Sequence, residues 1–164
     1  MENQTEEEVR VTQISDIALS HYSPILFELD MTRQYRQSIR PGGYAKPRGL
    51  WLSADGELDW PEWCEGEGFN LEALAYRTRW RIKEDSQVLH IQDMDEIFEF
   101  TDRFMASDDV PVGIDWGRVT QVYDGILITP YLWDARYRPK TMWYYGWDCA
   151  SGCIWNLDVL ERVA

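Results

Sequence analysis

Residues 75–83 carry the pattern that most constrains how this chain folds, because apolar or uncharged side chains alternate there with basic ones without a break. One face of the segment would carry Tyr76, Thr78, Trp80 and Ile82, and the other Arg77, Arg79, Arg81 and Lys83. Strict alternation of this kind is typical of a β-strand with one buried and one solvated face. A single strand is not stable in water, so the chain must form a sheet over an apolar core. The basic row fits a solvated face or a protected sheet edge better than a phosphate site.

Other segments are predicted to complete this sheet and to cover it. Alternating patterns and turn residues predict strands at residues 19–23, 49–53, 88–91, 125–129, 142–145 and 152–155. Two helices are predicted in the middle of the chain, one capped by Asp93 with Glu96 three residues later, the other capped by Asp115. The expected fold class is α+β, a single domain with an antiparallel or mixed two-sheet core and a few short helices.

Composition and charge limit the class of protein. The 164 residues are 45% hydrophobic, include nine Trp and nine Tyr, and carry a formal net charge of −13, which is enough apolar material for a folded core. We expect residues 1–8 to form an acidic flexible tail and residues 9–164 to form one domain. No apolar run reaches membrane-spanning length, so no membrane partner is expected. Three cysteines without a Cys-x-x-Cys motif favour a reducing, cytoplasmic location.

Residues 46–63 place aromatic rings beside a basic segment. The chain reads Lys-Pro-Arg-Gly-Leu-Trp-Leu-Ser, turns at residues 55 and 56, and continues as Trp-Pro-Glu-Trp. Residues 33–48 contain no acidic side chain and five basic ones: Arg33, Arg36, Arg40, Lys46 and Arg48. Flat rings next to positive charge suit a flat, phosphorylated ligand. An aromatic core next to a solvated basic loop would give the same pattern, and the residues alone leave both interpretations open.

Common catalytic and metal motifs offer no competing assignment. The chain has no glycine-rich phosphate loop, no His-Glu-x-x-His and no Gly-x-Ser-x-Gly. A zinc site built from Cys64, Cys149 and Cys153 with a histidine would have spacing unlike that of common structural zinc sites, so no metal is expected. A Ser-His-Asp hydrolase stays open, but two histidines among many Ser and Asp residues make that signal unspecific.

The order of the segments resembles that of the bacterial and phage ADP-ribosyltransferases. A Leu-Ser-His-Tyr-Ser strand comes first, and a basic turn then leads into Gly-Leu-Trp-Leu-Ser. A Val-Leu-His-Ile strand follows with its capped helix, then Val-Tyr-Asp-Gly-Ile-Leu-Ile and a last strand near the C-terminus. The resemblance runs from residue 20 onward and rests on the order and spacing of these motifs rather than on any one of them.

The resemblance implies an ADP-ribosyltransferase-like core and an NAD-dependent mono-ADP-ribosyltransferase that acts on a cytosolic protein or nucleic acid, with relatives among phage proteins and toxins. The substrate would be NAD⁺, whose ribose passes through a cation-like transition state. His21 would bind the ribose and take part in catalysis, and the second strand would hold the nicotinamide. The residues implied to bind NAD⁺ are His21, Tyr22, Ser23, Arg48, Gly49, Trp51 and Ser53.

The chain departs from the family pattern where the catalytic carboxylate is expected. Ser151 stands at the position that the family fills with Glu, and Asp148 is the nearest acid. Either Asp148 is catalytic, or the site binds NAD⁺ without transferring ADP-ribose. From the residues alone, His21 could also be a structural strand histidine, Trp51 a core residue and Asp148 a turn residue.

A different class of function rests on charge alone. A small acidic protein rich in aromatic side chains could be a non-enzymatic inhibitor or adaptor that mimics nucleic acid and fills the basic cleft of a partner, as phage antagonists do. Binding of NAD⁺ separates the two hypotheses, because a mimic of this kind has no reason to bind a dinucleotide.

Overall fold

Seven strands form one mixed sheet in the residues that the computed structural model describes, which are 13–38, 45–107 and 112–164. The strands are β1 (Leu19–Ser23), β2 (Leu50–Ala54), β3 (Tyr76–Ile82), β4 (Val88–Ile91), β5 (Gly125–Ile128), β6 (Ser151–Ile154) and β7 (Leu160–Val163). Their order across the sheet is β4-β5-β6-β2-β1-β3-β7, with β4 and β5 parallel and the other neighbours antiparallel. The expected single-domain α+β class is confirmed. The expected acidic tail at 1–8 and Arg40 lie outside the described residues.

Strands β1 and β2 share the shortest pairing between neighbouring strands of the sheet. Strand β1 pairs along its whole length with β3, but with β2 it pairs only where Leu19 faces Ala54 and Ser20 faces Ser53. Beyond Ser20 the two strands separate, although β2 stays paired with β6. The core is therefore one curled sheet with two halves, β4-β5-β6-β2 and β1-β3-β7, and not the two separate sheets that we expected. Because a few residue pairs at one end join the halves, a gap is left at the other end.

Short helices cover the sheet. The α-helices are α1 (Trp60–Glu67), α2 (Met94–Phe104), α3 (Trp116–Val119) and α4 (Trp133–Arg136), and 3-10 turns occur at Ile14–Asp16, Leu71–Leu74, Pro139–Gly146 and Leu157–Val159. Helices α2 and α3 begin at the predicted caps. The Asp93 side chain accepts the backbone N–H of Glu96 at 2.9 Å, and that of Asp115 accepts the backbone N–H of Arg118 at 3.2 Å. No helix in the described part of the chain is long and apolar enough to cross a membrane.

Helix α2 contributes four buried side chains to the core, which also contains residues of both halves of the sheet. Its buried side chains are Ile97, Phe100, Thr101 and Phe104. The Thr101 hydroxyl donates to the carbonyl of Ile97 at 2.8 Å and accepts the indole N–H of Trp143 at 2.9 Å, so the buried Trp has its partner. Phe98 on the same helix is half-buried, with the Lys140 ammonium 5.2 Å from its ring.

The alternating strand is confirmed, although it does not lie at an edge. Thr78, Trp80 and Ile82 are buried and Arg77, Arg79 and Arg81 are exposed, but Tyr76, expected on the buried face, is 46% exposed. Strand β3 lies between β1 and β7. Two of these arginines form ion pairs on the solvated face, Arg77 with Asp55 and Arg81 with Glu161, each at 2.8 Å.

A predicted strand is absent from the described residues, and a helix is present there that was not predicted. Residues 142–145, expected as a strand, lie in the 3-10 turn Pro139–Gly146, where Trp143 and Tyr144 are both buried. A strand would send these neighbouring rings to opposite faces, whereas the turn packs both into one core. Helix α1 was not foreseen, although Asp59 caps it, a proline stands in its first turn and Gly68 ends it with a positive φ of 61°.

Candidate functional site

A cleft of about 260 Å³ opens where β1 and β2 separate. Its walls come from three distant parts of the chain: β1, β2 and the segment just before β6. The side chains that matter for its chemistry are His21, Tyr22, Trp51, Ser53, Trp147 and Asp148. Five of these were singled out from the sequence, and the topology brings them together because antiparallel pairing places β2 between β1 and β6.

His21 bridges the gap between the two strands. Its Nδ1 lies 3.0 Å from the carbonyl oxygen of Trp51, just beyond the last backbone pair of β1 and β2. A carbonyl only accepts, so Nδ1 carries the proton, and in the neutral ring Nε2 is left as an acceptor. The ring is half-buried, and the ring of Phe27 packs against it with centroids 4.3 Å apart. His21 thus holds the strands together and keeps an acceptor nitrogen at the cleft.

Aromatic rings form one wall of the cleft. The ring of Trp51, half-buried on β2, meets that of Trp147 edge to face with centroids 4.8 Å apart. The ammonium of Lys46 lies 5.3 Å from the Trp51 ring, within cation–π distance. Trp147 is 1% exposed and its indole N–H has no hydrogen-bond partner in the described residues. The wall of the cleft therefore contains a buried donor that is not satisfied, and such a donor lowers the stability of the fold.

Three serines line the cleft, and all three hydroxyl groups are engaged: the Ser20 hydroxyl oxygen accepts from Arg77 Nε at 2.9 Å, and the other two bond to the backbone. The Ser53 hydroxyl oxygen accepts the backbone N–H of Trp60 at 2.9 Å, which holds the start of α1 against β2. The Ser151 hydroxyl donates to the carbonyl of Cys149 at 3.0 Å. Ser151 therefore supports the turn that leads into β6.

Asp148 supplies the carboxylate of the cleft. Burial raises the pKa of its side chain above the ordinary value, and the positive charges of Lys46 and Arg136 oppose that rise. Arg136 forms an ion pair with this carboxylate, in which Arg136 Nη2 lies 3.7 Å from Asp148 Oδ1. A half-buried carboxyl with a raised pKa and two cations beside it, facing a cleft, is an arrangement that functional sites favour.

Arg136 was not found from the sequence, yet it connects Asp148 to the core. Its guanidinium donates to the Tyr131 hydroxyl at 3.0 Å and lies 4.7 Å from the ring centroid of Tyr145, while its Nε is buried without a partner. The residue lies in α4. The segment that contains Arg136 has no periodic sequence pattern, so nothing in the sequence connected Arg136 to Asp148. Trp147 was not predicted as a site residue either, because it is one more Trp in an aromatic-rich segment.

Three residues implied by the resemblance lie outside the lining of the cleft. The Ser23 hydroxyl oxygen accepts the backbone N–H of Ile25 at 3.3 Å and holds the turn after β1. Arg48 is exposed, and its backbone N–H donates to Gln37 Oε1 at 2.8 Å. At Gly49 a Cβ would lie 2.6 Å from the carbonyl oxygen of Ile154, so glycine is needed for close packing of the chain against β6.

The cysteines show no sign of metal binding. Cys64, Cys149 and Cys153 are buried thiols, and burial raises the pKa of Cys149 to about 12, so its thiol is protonated at neutral pH. Among the described residues, no three His, Cys, Asp or Glu side chains are grouped closely enough to hold a metal ion.

Comparison with known proteins gives no assignment: no family model matches this chain, and neither does any curated protein or solved structure.

Proposed function

We propose that the cleft binds NAD⁺ and that the protein is an NAD-dependent mono-ADP-ribosyltransferase, acting on a cytosolic macromolecule. One observation carries the proposal. His21 and Trp51, which the order of motifs assigns to NAD⁺ binding, line a single cleft together with Asp148, the acid nearest to the expected position of the catalytic carboxylate, although the three lie far apart in the chain. Three residues of a packed core or of unrelated loops would have no reason to meet around one opening.

The chemical character of the walls suits one end of the dinucleotide. The exposed part of the Trp51 ring offers a flat surface for the nicotinamide, and His21 Nε2 offers an acceptor for a ribose hydroxyl. Small-molecule sites commonly measure about 300–1,000 Å³, so a cleft of about 260 Å³ would hold the nicotinamide ribose but not the whole molecule. The diphosphate would extend past Lys46, an exposed cation at the rim.

Asp148 would act on the charge that develops during transfer. The bond between C1′ of the ribose and the nicotinamide nitrogen breaks, and nicotinamide leaves with the electron pair as a neutral molecule. The ribose becomes positively charged, and a nearby carboxylate stabilises that charge. An acceptor nucleophile then bonds to C1′ and releases a proton. In this proposal Asp148 takes the part that Glu plays at the position of Ser151 in the family.

Thermal unfolding with NAD⁺ tests the proposal. A ligand that binds only the folded state stabilises it by RT ln(1 + [L]/Kd), which is about 2.7 kcal/mol at 100 Kd. NAD⁺ should therefore raise the melting temperature of the parent, and His21→Ala should remove the shift while remaining folded. His90→Ala is the matched control, because His90 lies in β4 and binds the Thr129 hydroxyl away from the cleft.

The same experiment gives the outcome that would contradict the proposal. If millimolar NAD⁺ shifts neither the parent nor the His90 variant, the cleft does not bind the dinucleotide. The net charge of −13 would then be the remaining functional signal, and the non-enzymatic inhibitor or adaptor would become the better hypothesis.

A further inference from the structure

A group of exposed rings with basic neighbours lies beside the cleft, and the proposed NAD⁺ chemistry does not use these rings. We call it the aromatic patch and define it by Trp133, Tyr137, Tyr145, Arg136 and Arg138. Its three rings are 48%, 65% and 45% exposed, in that order. Residues 133–145 contain three basic side chains and one acidic side chain, in a protein whose net charge is −13. The patch therefore combines exposed aromatic area with basic side chains, of which Arg136 pairs with Asp148 at 3.7 Å, while the neighbouring Lys140 pairs with Asp102 at 2.7 Å.

The rings and cations of the patch are neighbours in space. Trp133 begins α4, and its ring packs on that of Tyr131 with centroids 4.9 Å apart. The Tyr131 hydroxyl accepts a hydrogen bond from Arg136, whose guanidinium lies 6.0 Å from the ring centroid of Tyr137. The rings of Tyr137 and Tyr145 contact each other with centroids 6.3 Å apart and planes inclined by 72°. The guanidinium of Arg136 lies 4.7 Å from the ring centroid of Tyr145, and Arg138 is exposed.

Two contacts connect the patch to the cleft. Arg136 reaches Asp148 at 3.7 Å, so one side chain touches both a ring of the patch and the carboxylate of the cleft. Lys46 lines the cleft, and its Cε lies 3.1 Å from the place where a Cβ on Gly146 would be, next to Tyr145 in the chain. A molecule lying on the patch would thus have one end beside Asp148.

We propose that the aromatic patch binds single-stranded nucleic acid and presents it to the cleft as the acceptor of ADP-ribose. Unpaired bases stack on exposed aromatic rings, and arginines beside those rings contact the phosphates. Duplex bases are already stacked on each other, so the patch should prefer single strands. The net negative charge of the protein opposes binding, but at physiological ionic strength charges further than about 8 Å away are largely screened.

The acceptor role rests on the proposed function, whereas binding to the patch does not. In the transfer, a nitrogen atom of an acceptor base forms a bond to C1′ of the ribose as the bond from C1′ to nicotinamide breaks. Nicotinamide keeps the electron pair of the broken bond, and the acceptor nitrogen gives its proton to water. No oxidant or further reactant is needed.

Fluorescence anisotropy with a labelled single-stranded oligonucleotide of about 12 nucleotides tests the binding step, since comparable sites span about 4–16 nucleotides. Trp133→Ala and Tyr137→Ala should each weaken binding roughly fivefold to a hundredfold, the effect of losing one stacked base. Tyr76→Ala is the matched control, because Tyr76 is an exposed tyrosine, 46% exposed, on β3. It should bind like the parent, and all variants should melt like the parent.

The salt dependence of binding tests the contribution of charge. If Arg138 contacts one phosphate, Arg138→Gln should reduce the slope of log K against log salt concentration by about 0.7. Arg79→Gln, an exposed arginine on β3, should leave the slope unchanged. The binding inference is overturned if patch variants bind like the parent, if a duplex of the same sequence binds as tightly, or if no oligonucleotide binds at low salt.

Melting curves with NAD⁺ on the same preparations separate this inference from the proposed function. A shift with NAD⁺ without oligonucleotide binding would overturn the patch inference and leave the proposed function standing. Oligonucleotide binding through the patch without a shift would overturn the proposed function, and with it the acceptor role. Incubation of labelled NAD⁺ with cell extract completes the test: label should appear in nucleic acid. Label found in protein alone, also after nuclease treatment, would overturn the acceptor role.

Discussion

Two opposing physical effects act on the ionisation of the Asp148 side chain. Burial favours its neutral form, while Lys46 and Arg136 favour the charged form that a carboxylate needs to stabilise a positive ribose. Both cations lie on segments that sequence patterns did not connect to Asp148. The sequence could nominate the carboxylate, because it precedes the last predicted strand, but not the cations that oppose the rise of its pKa.

Replacing this carboxylate gives the first prediction at the residue scale. Asp148→Asn keeps the size and shape of the side chain but removes its charge. It should leave the NAD⁺ melting shift in place and lower transfer or NAD⁺ hydrolysis by about 10²-fold or more, measured with labelled NAD⁺. Ser151→Ala is the control and should stay active, because its hydroxyl is engaged with the Cys149 carbonyl. A fully active Asn variant would show that another acid does the work.

The raised pKa of Asp148 predicts how the stability of the protein depends on pH, and the same substitution tests this prediction. The folded-state pKa of Asp148 is raised, so folding favours the protonated side chain. The parent should lose stability as pH rises from the ordinary Asp pKa through the raised value, because the unfolded state then gives up its proton more readily than the folded one. Asp148→Asn cannot titrate, so it should melt at or above the parent at pH 7, and the difference should vanish in acid. A variant that melts well below the parent at pH 7 would mean that the charge stabilises the fold.

Capping signals and strand alternation account for most of the elements that could be foreseen. Helix α2 begins at Asp93 and β3 alternates as expected, since both patterns depend only on neighbouring residues. Residues 142–145 became a 3-10 turn because the tertiary core buries adjacent rings together, which no local rule requires. The cap and the proline of α1 are local signals as well, so this helix too is encoded by neighbouring residues.

A charge placed under helix α2 tests the packing of this element. Ile97 is fully buried in the core that also holds Ile126 of β5, so Ile97→Asp buries a carboxylate without a partner. It should lower the free energy of unfolding by about 3 kcal/mol or more, measured by urea denaturation. Glu99→Ala, an exposed change on the same helix, should stay within about 0.5 kcal/mol of the parent. Equal stability of the Asp variant and the parent would contradict the packing of α2.

Considered as a whole, the molecule consists of two half-sheets that meet along a short seam. The order of the strands depends on pairing between residues far apart in the chain, such as β2 with β6 and β3 with β7, and local patterns do not encode partners. The sequence therefore predicted most strands but not the single curled sheet, and it predicted residues of the cleft only through the order of motifs. The gap beyond Ser20 forms because β1 stays paired with β3 there, while β2 stays paired with β6.

Hydrogen exchange should reveal this seam as the place where a ligand stabilises the molecule. NAD⁺ bound between β1 and β2 would contact both half-sheets, so any local opening that separates them must first release the ligand. Amides of β1 and β2 that exchange by such openings should slow by about 100-fold at 100 Kd of NAD⁺. Amides of the edge strand β4 that exchange by local fraying should keep their rates, because fraying there leaves the cleft intact. His21→Ala should abolish the slowing, since it removes both the bond to the Trp51 carbonyl and the acceptor for the ribose. Slowing confined to β4 and α2, with the seam unchanged, would place the ligand elsewhere and refute the cleft as the NAD⁺ site.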